Sequence, residues 1–225
     1  MANLSSETLF HFTSSLDTLK NILFGGLRYG MFSEKLPFKN HAYFVRGISF
    51  CNIPLSMIAE HTDWYGRYAI GIKRSSLRDF GASPVFYIHS KTKSLPKGKG
   101  TVTKLTANPL LGYFKQHYGK QYHKVQSKYI FKHFYDEKEW RLFSGTPEIR
   151  KYSALEHLED LRRYKDTTVP EIDPLRIKTD MIEYIILEKP TDFLDFDAFL
   201  RTNYPGDREK FLTKILYYTQ IKKDF

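Results

Sequence analysis

Apolar residues near the start of the chain occur first as a short run and then at helical spacing. The run covers residues 9–12 and predicts a β-strand. Leucine and isoleucine then recur at helical spacing over residues 16–23, directly after three residues that suit a helix N-cap. Gly25 and Gly26 follow, as expected where a helix ends in left-handed backbone. A strand followed by a short helix is therefore predicted here.

The remaining apolar patterns predict a mixture of strands and helices. The signal at residues 181–189 is the strongest for a central strand. The glycine- and lysine-rich residues 91–100 are typical of an exposed loop. Further strands are predicted at residues 43–51, 64–74, 84–89, 139–143, 181–189 and 214–221, and helices at residues 54–61, 110–119, 153–165 and 192–204.

These elements favour a single α+β domain over residues 1–225. The chain has 225 residues, of which 41% are hydrophobic and 16% aromatic, enough to bury a core. No internal repeat and no linker rich in Pro, Gly or Ser marks a boundary. With no signal-peptide pattern and no apolar stretch near the roughly 18 residues of a membrane span, we expect a cytoplasmic protein without a membrane partner. The single cysteine, Cys51, is expected to be a buried small hydrophobe, with a catalytic thiol as the alternative.

Charge is distributed unevenly, and this narrows the class of partner. The net charge is +10, but residues 1–133 hold 19 Lys and Arg against 6 Asp and Glu, whereas residues 134–225 hold 16 against 19. No acidic residue lies between Asp79 and Asp136, while ten lysines and many aromatic residues do. Lysines neutralise phosphates and rings stack on exposed bases, so RNA or single-stranded DNA is favoured as a partner. The alternative is that the rings are core residues and the lysines a solvated face.

Residues 91–133 are therefore interpreted as a basic aromatic insertion into the domain. A long segment without acids attracts polyanions through its summed field. Its lysines are the candidates for nucleic-acid contact, namely Lys91, Lys93, Lys97, Lys99, Lys104, Lys115, Lys120 and Lys124.

Carboxylates gather in residues 134–143, directly after the acid-free segment. There Glu139 and Arg141 alternate with Trp140 and Leu142, which predicts a strand with one solvated and one buried face. We expect the acids at the start of this strand to close a cleft whose other wall is the basic aromatic segment.

Common sequence signatures of metal and nucleotide sites are absent. The chain has no cysteine pair and no H-x-x-x-H, and its eight histidines are scattered, so no metal site is expected. It has no Walker loop, no G-x-G-x-x-G and no G-x-S-x-G, although a Ser-His-Asp arrangement of distant residues is left open. Weaker candidates are His11 with Thr13 at a strand end, and Tyr65 with Tyr68 beside a glycine.

Four motifs together resemble a known family. They are H-F-T-S-S-x-x-x-L-x-x-I-L-x-x-G-L, I-S-F-C-N-I-P-L-S, Y-G-x-Y-A-I-G-I-K and Y-D-E-K-E-W-R, and they span most of residues 9–143. This set resembles the AbiGi family of bacterial abortive phage-infection proteins, which carries an antitoxin label. A later I-E-Y-I-I-L strand extends the likeness. That family is in turn similar to bacterial proteins with an early H-x-T and a late E-W-R, which resemble ADP-ribosyltransferases of the His-Tyr-Glu type.

The second resemblance implies a split mixed β-sheet with flanking helices and a site for NAD as substrate, without metal. Cleavage of the nicotinamide–ribose bond passes through an oxocarbenium-like state, which a nearby carboxylate stabilises. By this resemblance Glu139, or failing it Glu137, is the catalytic carboxylate. The other implied NAD contacts are His11 and Thr13, Ser49, Tyr65 or failing it Tyr68 as the stacking ring, and Arg141 as a phosphate ligand or a charge that keeps Glu139 ionised.

Two functions from different classes follow as expectations. The first is a toxin of a phage-defence system that transfers ADP-ribose from NAD to a nucleic acid, with RNA favoured, and that has a cognate antitoxin protein as partner. Its catalytic set is His11, Tyr65 and Glu139. The alternative is a non-catalytic antitoxin or nucleic-acid-binding regulator with a degenerate cleft. NAD hydrolysis or removal of a 2′-phosphate from RNA would use the same cleft and is a third reading.

Overall fold

The structure is a computed structural model that describes residues 6–35, 41–89, 91–92, 109–123, 126–145, 148–151 and 172–224. Its strands are β1 (Thr8–Thr13), β2 (Gly30–Lys35), β3 (His41–Cys51), β4 (Tyr68–Lys73), β5 (Ser83–Pro84), β6 (Phe86–Ile88), β7 (Phe114–Gln116), β8 (Tyr118–His123), β9 (Lys128–His133), β10 (Glu139–Phe143), β11 (Glu148–Lys151), β12 (Ile182–Leu187) and β13 (Ile215–Tyr217). Its α-helices are α1 (Leu16–Gly25), α2 (Ile58–Tyr65), α3 (Arg74–Asp79), α4 (Phe193–Asn203), α5 (Arg208–Leu212) and α6 (Tyr218–Asp224).

A mixed sheet of nine strands is the framework of the described part of the chain. Its strands follow the order β13-β12-β4-β1-β3-β10-β5, and β2 and β11 also pair with β3. Neighbouring strands are antiparallel except β12 and β13, which run parallel. The predicted α+β class with a mixed sheet is therefore confirmed. The likeness to an ADP-ribosyltransferase sheet, and the single domain with an insertion over residues 91–133, stay predictions.

Strands β1 and β3 are paired over only a short length. Among the described residues, one registered pair joins the two strands, Phe10 with Cys51. The rest of β3 pairs with β2 and, on its other edge, with β10 and β11. Since β1 and β3 diverge after that single pair, a gap opens beside His11, the next residue of β1.

Apolar cores cover both faces of the sheet. Phe196 of α4 packs with side chains of α1, β4 and β12 in one core, and Ile58 of α2 packs with Ile221 of α6 in the other. Because successive side chains of a strand point to opposite faces, Leu9 belongs to the first core and Phe10 to the second. The helices therefore lie on both sides of the sheet. No helix within the described ranges is long and apolar enough to cross a membrane.

The first helix begins and ends where the sequence predicts. The Ser15 hydroxyl accepts a hydrogen bond from the backbone N–H of Thr18 at 3.2 Å, which satisfies one donor of the first turn. Gly26 ends the helix with a φ of 90°, and its N–H donates to the carbonyl of Ile22 at 2.8 Å. The strands predicted at residues 43–51, 139–143 and 181–189 are likewise confirmed as β3, β10 and β12.

The helix predicted over residues 110–119 is wrong. Residues Pro109–Tyr113 form a 3-10 helix, and the chain then extends into β7 and β8. Apolar residues in this segment fit a helix locally, but β7 pairs in parallel with β6 and β8 pairs with β9. Pairing with distant segments therefore overrides the local pattern.

Several other boundaries also differ from the prediction. The strand predicted at residues 214–221 ends at Tyr217, because Tyr218 and Ile221 lie three positions apart on α6 and both enter the core. The strand predicted at residues 64–74 begins only at Tyr68, since α2 continues to Tyr65. The strand predicted at residues 84–89 is divided between β5 and β6. The short helix predicted at residues 54–61 is divided between a 3-10 helix and α2. The predicted helix at residues 153–165 and most of the loop at residues 91–100 lie outside the described residues.

Gly66 provides a direct test of how α2 is joined to β4. Its φ is +113°, and a Cβ atom there would lie 2.2 Å from the carbonyl oxygen of Thr13. We expect Gly66→Ala to lower the free energy of unfolding by about 2–4 kcal/mol, through backbone strain and overpacking. The measurement is urea or thermal unfolding.

Gly25→Ala is the matched control for this substitution. A Cβ atom at Gly25, within α1, meets no atom within 4 Å. The control should be neutral or slightly stabilising, because alanine favours helical backbone. Equal stability of the two variants would contradict the close approach of Gly66 to β1.

Candidate functional site

A cavity of about 470 Å³ lies at the gap between β1 and β3. Its volume falls within the range of pockets that hold small ligands. The walls come from β1, β2, α2, β3, β7, β8, β10 and the 3-10 helix that precedes β10. The polar side chains of the lining include His11, Glu34, Ser49, Tyr65, Lys115, Glu137 and Glu139.

The guanidinium of Arg141 is the most deeply buried charge beside this cavity. Its Nε and Nη2 donate to the two carboxylate oxygens of Glu139 at 2.7 and 2.9 Å. Nη1 donates to the Tyr43 hydroxyl and to the carbonyl of Gly112, and Nη2 also donates to the Glu34 carboxylate. Burial alone would lower the pKa of Arg141, but the Glu34 and Glu139 carboxylates raise it well above its usual value. Arg141 is therefore a fully charged structural residue.

Two lysines complete the network around the neighbouring carboxylate, Glu137. The Lys115 ammonium lies 2.6 Å from a carboxylate oxygen of Glu137 and 2.6 Å from one of Glu139. The Lys132 ammonium lies 2.7 Å from the other oxygen of Glu137. Burial by itself raises the pKa of Glu137, but Lys115 and Lys132 outweigh it and lower the pKa to about 2. Both glutamates are ionised at neutral pH, since Lys115 and Arg141 also lower the pKa of Glu139 against the effect of burial.

The solvated face predicted for residues 139–143 is in fact buried. Glu139 and Arg141 are 5% and 0% exposed, while Trp140 is partly buried against the core that includes α1. Alternation separates the two faces of β10 correctly, but both faces are covered. The charged face is covered because residues far away in the sequence supply its counter-charges.

The acids of this segment and the preceding acid-free segment therefore neutralise each other. Lys115 and Lys132 both belong to the segment between Asp79 and Asp136, and both ammonium groups point at Glu137. Lys115 was predicted to contact nucleic acid, but its ammonium lies inside the cavity. Its contact with nucleic acid stays a prediction, and local composition does not show which lysines face inward.

His11 lies in the gap between the diverging strands. Its Nδ1 is 2.9 Å from the carbonyl oxygen of Ser49, which can only accept, so Nδ1 carries the hydrogen. Burial lowers the pKa of His11, and the hydrogen bond to Ser49 offsets this only in part. At neutral pH the ring is therefore uncharged, and Nε2 is a hydrogen-bond acceptor.

Tyr65, the last residue of α2, reaches the same network. Its hydroxyl donates to the Glu137 carboxylate and lies 3.4 Å from Nε2 of Gln121 and 3.3 Å from the Lys132 ammonium. The Lys132 ammonium also lies 4.6 Å from the centre of the Tyr65 ring. Burial, followed by the charge of Glu137, raises the pKa of Tyr65, so the hydroxyl stays protonated. The ring is thus held by polar contacts rather than by the apolar cores.

The sequence model described as "Putative abortive phage resistance protein AbiGi, antitoxin" matches residues 41–188, well over half of the chain. The chain belongs to the AbiGi family. It matches no curated protein and no solved structure at a significant level. These comparisons leave the resemblance to ADP-ribosyltransferases a prediction.

The AbiGi match covers most of the site but not all of it. The match includes Tyr65 and the segments that carry Lys115, Glu137 and Glu139, whereas His11 lies before its first residue. The resemblance inferred from the sequence began at residue 9, so its H-F-T motif lies outside the matched range. The contact between His11 and the carbonyl of Ser49 joins the two parts in space.

The other predicted NAD contacts are placed apart from the cavity. Tyr68 donates its hydroxyl to Asp192 at 3.1 Å and contributes to the core that includes α1. Thr13 is buried at the end of β1 beside Gly66, and it is not among the residues that line the cavity. Among the described residues, the structure brings together His11, Ser49, Tyr65 and Glu139, and it places Arg141 directly behind Glu139. Their proposed roles toward NAD stay predictions.

Only some of the lysines that were predicted to contact nucleic acid lie within the described residues. Lys91 is exposed, and Lys120 is an exposed residue at the cavity rim. Lys93, Lys97, Lys99, Lys104 and Lys124 lie outside the described residues.

Sequence reasoning missed several members of the network. Glu34 binds Arg141, and its only sequence signal was its rarity as one of 6 acids in residues 1–133. The Tyr87 hydroxyl accepts a hydrogen bond from the backbone N–H of Glu139 at 2.8 Å, and nothing in the sequence indicated this. Cys51 also lines the cavity, but burial and then Glu137 and Glu139 raise its pKa, which disfavours a catalytic thiolate.

No metal site was found in the part of the chain that the structure describes. No group of three or more His, Cys, Asp or Glu side chains there is arranged to hold a metal ion. The clustered glutamates of the cavity are instead neutralised by lysine and arginine.

The lowered pKa of Glu137 makes stability depend on pH. Because the folded pKa of about 2 lies below the ordinary 4.5, the stabilisation is complete above about pH 4.5 and is lost as the pH falls toward 2. We expect Glu137→Gln to lower the free energy of unfolding by about 3 kcal/mol at pH 7. The difference from wild type should shrink between pH 4.5 and 2, since a protonated Glu137 resembles glutamine. Denaturant unfolding at several pH values measures it.

Glu60→Gln is the control for this titration. Glu60 is an exposed glutamate of α2, so its substitution should change the free energy of unfolding by less than about 0.5 kcal/mol at pH 7. A cost of Glu137→Gln that stays constant from pH 7 to the acid limit of folding would show that the Lys115 and Lys132 contacts do not hold Glu137 ionised.

Proposed function

We propose that this AbiGi protein is the non-catalytic, antitoxin-side component of its abortive-infection system and that it works by binding. The family description supports this role, and a cognate toxin is the partner that an antitoxin requires. The observation that carries the proposal is the pairing of every carboxylate in the cavity lining of the described chain. Glu34, Glu137 and Glu139 each contact at least one buried or half-buried cation.

The position of Lys115 is unfavourable for a catalytic carboxylate. In glycosyl transfer from NAD, the carboxylate must accept a hydrogen bond from a ribose hydroxyl and face the developing positive charge. One oxygen of Glu139 already accepts from both Arg141 and Lys115, and the other accepts from Arg141. A ribose hydroxyl that approached Glu139 would therefore compete with an ammonium group that is held by two buried carboxylates. Removing one partner of a buried ion pair typically costs about 3–5 kcal/mol.

The same contacts give the network a scaffolding role. Lys115 on β7 and Lys132 on β9 attach the two small sheets to Glu137 and Glu139 beside the main sheet. Neutral, fully paired clusters of this kind favour one geometry of the surrounding backbone. A rigidly held accessory sheet is what a binding protein requires, because a pre-organised surface loses less entropy on association.

Expression in a bacterial host tests the antitoxin role. The wild-type chain expressed alone should leave growth unchanged, and with the toxin of the same defence system it should restore growth. His11→Asn should restore growth equally well, because the asparagine amide can still donate to the carbonyl of Ser49 and no catalytic role is lost. Growth is followed by optical density and viable counts. Growth arrest by the wild-type chain alone, relieved by His11→Asn, would overturn the proposal.

A second candidate function rests on a different observation. His11, Tyr65 and Glu139 line one cavity, which is the arrangement that ADP-ribosyl transfer from NAD would use. Nε2 of His11 could accept from a ribose hydroxyl, the Tyr65 ring could stack on nicotinamide, and Glu139 could face the reacting ribose once Lys115 had moved. The bond from ribose C1′ to nicotinamide would break with its electrons leaving on nicotinamide. A nucleic-acid oxygen or nitrogen would then bond to C1′ and lose a proton.

Incubation with labelled NAD and RNA or single-stranded DNA decides between the two candidates. Under the binding proposal the wild-type protein transfers no label and releases no nicotinamide. Transfer that is lost in both Glu139→Gln and His11→Asn would establish the enzyme instead. The second variant is needed because Glu139→Gln leaves Arg141 and Lys115 short of a counter-charge and should lower the free energy of unfolding by about 3 kcal/mol. Thermal unfolding of each variant is the accompanying control.

A further inference from the structure

The β8–β9 hairpin has two chemically different faces. Its register pairs Tyr118 with His133, Lys120 with Phe131, and Tyr122 with Tyr129. Directly paired residues lie on the same face, and so do residues two positions apart, so these six side chains form one surface. The alternate residues include Gln121 and Lys132, which reach the cavity network on the other face. We define the outer face of the hairpin as Tyr118, Lys120, Tyr122, Tyr129, Phe131 and His133.

The outer face carries unusually exposed aromatic rings. Tyr129 and Phe131 are 68% and 70% exposed, and Tyr118 and Tyr122 are 38% and 48% exposed. The rings of Tyr122 and Tyr129 contact each other with centroids 5.4 Å apart. Because contiguous exposed apolar surface is uncommon in soluble proteins, a cluster of this kind marks a binding surface.

Charge indicates which partner fits the outer face. The ammonium of Lys120 lies 5.4 Å from the centre of the Phe131 ring on the outer face. Lys128, the first residue of β9, is exposed on the opposite face of the hairpin and adds positive charge nearby. No Asp or Glu occurs between Asp79 and Asp136, so the outer face carries Lys120 and no acidic residue, whereas Lys132 on the opposite face is paired with Glu137. Rings beside lysines complement a polyanion whose units have flat faces.

We infer that the outer face of the β8–β9 hairpin binds single-stranded nucleic acid by stacking two or three unpaired bases on its rings. This inference deepens the binding role proposed above and rests on it. Successive cross-strand pairs on one face are about 6.8 Å apart, so the surface is about 14 Å long. Aromatic β-sheet platforms of this kind stack about two or three bases. A duplex keeps its base faces inside the helix, so it cannot use these rings.

Fluorescence anisotropy with the full chain and labelled 12-nucleotide probes tests this inference. The probes are oligo-uridine RNA, oligo-thymidine DNA and a DNA duplex of equal length. Both single strands should bind more tightly than the duplex, and added salt should weaken binding. The double substitution Tyr122→Ala with Phe131→Ala should weaken single-strand binding by about tenfold per ring. Because both rings are exposed, the variant should fold, and circular dichroism checks this.

Phe24→Ala is the matched control, since Phe24 is an equally exposed ring on α1, outside the hairpin. It should bind both single strands like the wild type. Unchanged binding by the double variant, or duplex binding as tight as single-strand binding, would overturn the inference. A double variant that binds all probes normally but no longer neutralises the toxin would show instead that this face contacts a protein.

The two proposals fail in distinguishable ways. A chain that neutralises the toxin but binds none of the probes would overturn the single-strand inference and leave the antitoxin role standing. A chain that binds single strands through these rings but arrests growth when expressed alone would support the inference and overturn the antitoxin role.

Discussion

The pairing of Arg141 with Glu139 is the interaction on which the rest of the site depends. A guanidinium with no solvent exposure must keep all of its partners, because an uncompensated buried charge costs several kcal/mol. Glu139 in turn binds Lys115, and Lys115 binds Glu137, which binds Lys132. The burial of each of these charged groups is therefore tolerated only because the next group supplies the opposite charge. The result is a chain of ion pairs that runs from β10 to the two small sheets.

This network lies in a part of the molecule that the two apolar clusters of the described residues do not reach. In the described part of the chain, neither hydrophobic cluster contains a residue between positions 86 and 133. The β6–β7 and β8–β9 sheets are held against the main sheet by Lys115, Lys132, Tyr65 and their carboxylate partners. Buried polar contacts of this kind are directional, so they define an orientation that interchangeable apolar contacts would leave less specified.

The binding and catalytic functions require opposite behaviour from Lys115. For binding, its contacts with Glu137 and Glu139 are permanent, and they orient a hairpin whose outer rings remain available. For catalysis, a ribose in the cavity would compete with the same ammonium for Glu139. The distances of 2.6 Å to two ionised carboxylates favour the first, and the AbiGi family description agrees with it.

The sequence by itself determined the α+β class, the ends of α1 and strands β1, β3, β10 and β12, because these follow from periodicity and local capping. It also revealed that basic and acidic residues are segregated along the chain. It misassigned residues 110–119 as a helix and the charged face of β10 as solvated. Only the tertiary structure decided that Lys115 and Lys132 turn inward and that Glu34 meets Arg141 across 107 positions. Periodicity shows which residues share a face, but what lies opposite that face depends on long-range pairing.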